Sequence, residues 1–244
     1  MFKEACQKNR EAIYGIKAAS QTSDTEVTFG TGSGFAIAPG IIATVSHLVH
    51  IDNDPNRIHT SFEVIRSPDI GQTMESATLI TEDPNHDIAL LKINNPRSDN
   101  YVTLEQSKVP SGTSCGSLGF PLGEVVVLAP GQVRYNLVER FQGSFISAFV
   151  RDRTPLGKEA DFYEIDSLMY HGSSGCPGFL PNARVVGMQS QSRLGESAAE
   201  VMQRAKTSGG TGEKKPIAHS QLAISMWVPS MAILKTARDN GISI

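Results

Sequence analysis

Gly172-Ser173-Ser174-Gly175-Cys176-Pro177 sets a serine among glycines whose backbone can approach a reacting carbonyl closely, which makes Ser174 the candidate nucleophile. A serine hydroxyl is too weak an acid to attack a peptide bond unaided. It needs a base, and the base needs an orienting group. Both residue types lie upstream. Ala43-Thr44-Val45-Ser46-His47 follows a glycine-rich apolar run, and His86-Asp87-Ile88-Ala89-Leu90-Leu91 opens another, so the chain order is His47, Asp87, Ser174. An imidazole between a carboxylate and a hydroxyl can take the hydroxyl proton and later deliver it to a leaving amine.

That order, with Gly30-Thr31-Gly32-Ser33-Gly34-Phe35 and Asp87-Ile88-Ala89-Leu90-Leu91-Lys92, resembles the trypsin-like (chymotrypsin-fold) serine proteases. The similarity is strongest to their HtrA/Deg and V8-like branch. Gly116-Ser117-Leu118-Gly119-Phe120-Pro121 resembles the opening of the second barrel there, and Trp227-Val228-Pro229-Ser230 the entry to the terminal helix. The resemblance runs from about residue 25 to 240. It implies an all-β fold of two antiparallel Greek-key β-barrels, with His47 and Asp87 on the first and Ser174 on the second. It further implies a serine endopeptidase working through a Ser174 acyl-enzyme, with no cofactor and no metal. The chain ends soon after the terminal helix, so no PDZ domain is expected in it. A catalytically silent protease-fold binding module is the alternative reading. A metal hydrolase built on His47 and His50 is a third, but it lacks a clear third ligand and leaves the serine motif unexplained.

The oxyanion hole falls to the backbone N–H groups of Gly172 and Ser174, aimed at the oxygen where charge develops. Ser173 departs from zymogen-activated members, where an Asp at this position pairs with a newly cut N-terminus. Activation without N-terminal processing is therefore expected. Leu168 stands where the trypsin subgroup has an Asp, which disfavours Lys or Arg before the scissile bond. By the resemblance, Ser167, Leu168 and Met169 form one wall of the pocket, with Ser190, Gln191 and Ser192 as the facing strand edge. A small or medium apolar residue before the scissile bond is expected. Cys176 reads as a small packed residue rather than a redox switch.

The 244 residues exceed one ordinary domain and suit paired barrels sharing a cleft. A net charge of −3 and a pI near 6.1 offer no basic field, so no nucleic-acid partner is expected. No apolar run approaches the length of a membrane span, and the start at Phe2-Lys3-Glu4 is too charged for a signal-peptide core, which points to a cytoplasmic protein with no membrane association. Cys6, Cys115 and Cys176 form neither a disulfide framework nor a zinc motif. The other histidines, His50, His59, His86, His171 and His219, read as solvated or locally hydrogen-bonded.

Helical character is expected from Phe2 to about Ala18, within an N-terminal helical extension over 1–24 that packs on the barrel or meets a further copy of the chain or a regulatory partner. The first barrel is expected over 25–105, and the second barrel with a C-terminal helix over 106–244, together one protease domain. Ser230 is expected to cap that helix, Met231, Ile233, Leu234 and Ala237 to form its apolar face, and Gly241 to close it. Arg151 to Ala160 reads as a charged loop. Arg193 to Ser220 reads as an insertion carrying a short helix and a glycine-rich tip, either a lid beside the cleft or a tolerated surface segment.

Overall fold

Runs rich in Val, Ile and Phe, separated by Gly, Asn and Asp turns, become two closed antiparallel barrels. They are seen in a computed structural model that describes residues 1–21, 27–66, 73–96, 99–121, 124–129, 132–167, 170, 172–195 and 222–244. The first barrel comprises β1 (Ile13–Gln21), β2 (Val27–Ala38), β3 (Ile41–Thr44), β4 (Ser61–Arg66), β5 (Met74–Asp83) and β6 (Ile88–Ile93). Its strands neighbour one another in the order β1-β2-β3-β6-β5-β4. The second comprises β7 (Ser114–Gly119), β10 (Arg140–Arg153), β11 (Glu159–Ile165), β12 (Pro177–Phe179), β13 (Val185–Gly195) and β14 (Leu222–Pro229). Read from β7, its order β7-β10-β11-β14-β13-β12 repeats the topology of the first. A hairpin of β8 (Glu124–Ala129) and β9 (Gln132–Asn136) projects between β7 and β10 in sequence. Closure gives every strand of each barrel a neighbour on both sides over at least part of its length.

One apolar cluster runs through both barrels and includes fully buried Phe35, Ile42 and Leu90 of the first with Phe120, Phe162 and Phe179 of the second. Each such side chain contributes roughly 1.5–3 kcal/mol by leaving water, so the barrels are joined by core rather than by a linker. The connecting segment reinforces this: Val102 N–H donates to Ala36 O, and Glu105 N–H to Val185 O.

Helix α1 (Lys3–Arg10) stops well short of the expected Ala18, and Ile13–Gln21 is a strand paired with both β2 and β4. The reason is burial on both faces: Ile13, Tyr14, Ile16, Ala18 and Ala19 all lie inside, which a one-faced helix could not achieve. One face of α1 packs on the second barrel, while Lys3, Glu4, Gln7 and Lys8 stay exposed. Phe2 packs on Phe141 and Phe179 at ring distances of 5.3 and 6.2 Å, Asn9 Nδ2 donates to Ala183 O, and Arg10 pairs with Glu139. The helix preceding the first barrel thus docks on the second.

The charged stretch after Arg151 is a hairpin rather than a loop, turning through Thr154 to Lys158 between β10 and β11. Helix α3 (Ser230–Asp239) buries Ile233, Leu234 and Ala237 as expected. Ser230 does not cap it, because its hydroxyl donates to Glu105 O at 2.6 Å and Pro229 takes the cap position. Gly241 closes the helix at φ +72°, with Gly241 N–H on Arg238 O and Ile242 N–H on Ala237 O. Most of the 193–220 insertion, His171, His219, Leu168 and Met169 lie outside the described residues.

Candidate active site

Strand pairing brings the first two candidate residues together. β3 pairs with β6 so that Thr44 faces Ala89, which sets the end of one strand beside the start of the other. The chain leaves β3 into a single helical turn, α2 (Ser46–Val49), carrying His47, and enters β6 from a turn ending at Asp87. Asp87 is fully buried with φ +56°, a left-handed conformation that costs a non-glycine residue about 1–2 kcal/mol and that Asp tolerates better than most. Hydrogen bonds hold it there. Asp87 Oδ1 accepts the His47 backbone N–H at 2.8 Å, and Oδ2 accepts the Ser190 hydroxyl at 2.5 Å.

Ser174 sits in the turn leading into β12, and residues of the first barrel grip that turn. Ser33 N–H donates to Ser174 O at 2.7 Å, Ser33 Oγ donates to Gly172 O at 3.0 Å, and Thr44 Oγ1 donates to Ser33 O at 2.8 Å. Gly175, at φ +86°, lies so close that a Cβ would fall 1.9 Å from Ser33 O. This position therefore requires glycine. The other side of the turn is tied to β13 by Gly175 N–H on Gln189 O at 2.7 Å.

The three side chains form a continuous relay. His47 Nδ1 lies 2.9 and 3.1 Å from the two Asp87 oxygens, and His47 Nε2 lies 3.1 Å from Ser174 Oγ. Since the carboxylate accepts at Nδ1, the proton of a neutral imidazole belongs there, leaving Nε2 to accept from Ser174. The hydroxyl is also 3.3 Å from Ser190 O. Gly172 has φ +86°, and among the described residues no carbonyl accepts the N–H of Gly172 or Ser174. Two unspent donors beside the nucleophile suit a developing oxyanion.

Ser190 was expected only as part of a substrate edge. It is the bulged residue where the β13–β14 register shifts between Gln189 and Gln191, and the bulge is what turns its hydroxyl onto Asp87. Beyond Met188, β13 outruns β12, so among the described residues the second edge of Ser190, Gln191 and Ser192 has no strand beside it. Gln191 Nε2 donates to Arg153 O, and Ser192 is exposed. Ser167 is linked to the buried Ser225, whose hydroxyl donates to Ser167 O at 2.9 Å. A cavity of about 310 Å³ at the barrel junction is lined by His47, Leu48 and Phe29 on one side and by Gly172 and Ser174 on the other.

Both ring nitrogens of His50 are engaged by groups other than Ser174. Its Nε2 meets Glu82 at 2.8 Å and its Nδ1 lies 3.1 Å from Asp54 O, while the same Glu82 oxygen accepts the Ser46 hydroxyl at 2.6 Å. His47 and His50 therefore do not converge on a common point, and no group of three His, Cys, Asp or Glu among the described residues could hold a metal ion. His86 bonds Asp83 locally. Burial pushes His59 below the ordinary histidine value, partly opposed by Asp52, and its Nδ1 has no partner among the described residues. Burial likewise raises the thiols of Cys176 and Cys115, to about 11 and about 12, so both stay neutral near pH 7. Sequence reading missed Ser33, Thr44 and Ser190 as supports, since serines and threonines in strands carry no local signal of a partner on another barrel.

The profile of the Trypsin-like peptidase domain family matches residues 32–188. A Bartonella henselae protein named as a probable periplasmic serine endoprotease, DegP-like, is 33% identical over 159 residues, 64% of this chain and 27% of its own. A Brucella suis protein of the same name is 32% identical over 160 residues, 64% of this chain and 26% of its own. The match spans about a quarter of the length of these relatives. Among solved structures, an HtrA-type protease with a tripeptide superposes with a TM-score of 0.68 at 16% identity, covering 98% of this chain and 63% of that one. The Rv3671c protease from M. tuberculosis in its active form gives 0.64 at 16% identity, covering 98% and 85%. At that identity the structures speak to fold. The expectation of a cytoplasmic location finds no support in the relatives, which are named periplasmic. No described helix is long and apolar enough to cross a membrane.

Proposed function

Because the chain belongs to the trypsin-like peptidase domain family, we propose that it is a serine endopeptidase whose two barrels act as one catalytic unit. The observation that carries this reading is the relay from Asp87 through His47 to Ser174, with contacts of 2.9 and 3.1 Å. In the reaction Ser174 Oγ attacks the scissile carbonyl and its proton passes to His47 Nε2. The buried Asp87 carboxylate stabilises the resulting imidazolium and keeps Nδ1–H directed at itself. Negative charge on the tetrahedral oxygen meets the N–H groups of Gly172 and Ser174, a donor pair of which each member is worth about 2.7–4 kcal/mol of barrier. Collapse expels the amine, which takes the proton from His47. Water then attacks the acyl ester with His47 again as base, releasing the new carboxyl terminus and restoring Ser174.

Substrate would lie extended along the open edge of Ser190, Gln191 and Ser192, using main-chain pairing for affinity. We assign the residue before the scissile bond to a small or medium apolar type, held near Ser167, Leu168 and Met169. Ser173 has no carboxylate to receive a new N-terminus, which supports activity of the unprocessed chain.

A fluorophosphonate probe followed by intact mass tests the reading on wild type and on Ser174→Ala and His47→Ala. Stoichiometric labelling of wild type alone is expected, followed by endoproteolytic cleavage in a peptide library. A folded wild type that neither labels nor cleaves would instead be the silent binding module.

A further inference from the structure

Behind the Ser174 turn lies a second cavity, of about 370 Å³, separate from the cleft that holds His47. Its polar lining has spare capacity. Gln189 is only 3% exposed and faces the cavity, yet among the described residues its side-chain amide has no hydrogen-bond partner. Ser117, 8% exposed, is in the same position. Ser173 Oγ accepts the Tyr170 N–H, and among the described residues its own hydroxyl hydrogen has no acceptor. Arg140 stands at the rim and donates through Nη1 to Pro121 O and Val138 O, and among the described residues its other N–H groups have no acceptor. Among the described residues no carboxylate lines the cavity. Buried polar groups are ordinarily paired, so several unpaired donors converging on one concavity mark a place built for an acceptor.

We propose that this cavity binds a small carboxylate, either a free organic acid or the carboxyl terminus of a peptide, and that its occupancy is coupled to the Ser174 turn. The donors Arg140, Ser117, Ser173 and Gln189 match an anionic oxygen pair, and guanidinium with carboxylate is the strongest such match. Phe141, clamped by Phe2 at 5.3 Å and Phe179 at 6.3 Å, supplies a fixed apolar wall for the body of the ligand. Coupling has a physical route. Ser173 lies between Gly172 and Ser174, and the backbone carbonyl of Gln189 accepts Gly175 N–H at 2.7 Å. A ligand that orders Ser173 and Gln189 orders both flanks of the nucleophile, and by linkage the effect is reciprocal.

The test is calorimetric titration of the full chain with benzoate and with acetyl-Ala-Phe bearing a free or an amidated terminus. Wild type, Arg140→Gln and Gln189→Leu are compared, and the amide resonances of Gly172 and Gly175 are followed in parallel. One saturable site is expected, weakened at least about tenfold by Arg140→Gln, which lies outside the reacting groups and should leave fluorophosphonate labelling unchanged. The glycine resonances should shift along the same saturation curve. Binding of benzoate alone assigns the free acid; binding of the free but not the amidated peptide assigns a carboxyl terminus. No saturable heat up to about 10 mM of any probe, or equal binding by wild type and both variants, overturns the site. Binding with unmoved glycine resonances overturns the coupling. Because heat and resonance shifts do not require a reactive serine, these outcomes are distinct from failure of the protease reading.

Discussion

Asp87→Asn separates the role of the carboxylate charge from that of the fold. Asn tolerates the φ of +56° at this position, and its Oδ1 can keep the His47 N–H at 2.8 Å. Its amide N–H₂ must then face His47 Nδ1. That reverses the tautomer: Nδ1 becomes an acceptor, Nε2 carries the hydrogen, and the 3.1 Å contact with Ser174 Oγ no longer presents a base. A wrong-tautomer substitution of this kind costs about 10⁴-fold in turnover, or roughly 5.4 kcal/mol of barrier at 1.36 kcal/mol per decade. Stability should change little. Asp87→Ala is the contrast, because it leaves the buried His47 N–H and Ser190 hydroxyl without an acceptor, about 1–3 kcal/mol each, and adds about 1 kcal/mol for alanine at positive φ. A loss of about 3–7 kcal/mol approaches the whole stability of an ordinary domain. The assay pairs kcat/KM on a peptide ester with thermal melting. Asp87→Asn retaining activity within tenfold of wild type, or melting as low as Asp87→Ala, would refute the reasoning.

Gly119→Ala places a Cβ 2.1 Å from Cys176 Sγ, an overpacking that should cost about 1–3 kcal/mol and lower the melting temperature by several degrees. Adding Cys176→Gly should restore part of the loss, and a single variant that melts like wild type would end this packing account. Glu105 is pushed up by burial but pulled further down by its hydrogen bonds to Arg184 and to the backbone N–H groups of Ser107 and Gln106, so its folded value lies below the ordinary one. Its contribution to stability is therefore present above the unfolded carboxylate value and disappears as pH falls through the lowered folded value. Denaturant melts from pH 7 to pH 3 should show a shallower acid decline in Glu105→Gln, and superimposable declines would contradict the assignment.

Periodicity and turn residues were sufficient to read an all-β chain with a closing helix, and the short motifs around His47, Asp87 and Ser174 showed three residues of complementary chemistry; the two barrels were implied by the family resemblance those motifs carry. These features are local: alternation, a Gly at a turn and an Asp before an apolar run act within a few residues of themselves. The apolar face of Ile233, Leu234 and Ala237 and the Gly241 stop were legible for the same reason. Where local preference met a tertiary partner, the partner won. Ile13–Gln21 became a strand because two neighbours claim its edges and both faces are buried, and Ser230 gave up its cap for Glu105 O across 125 positions. Ser190 reaches Asp87 across 103 positions, and Ser33 reaches Gly172 across 139. The sequence by itself determined which chemical groups exist and which elements carry them; tertiary structure alone decided their separations and supports. Hydrogen bonds act over about 3 Å, and only closure of both barrels brings groups so far apart in the chain to that distance.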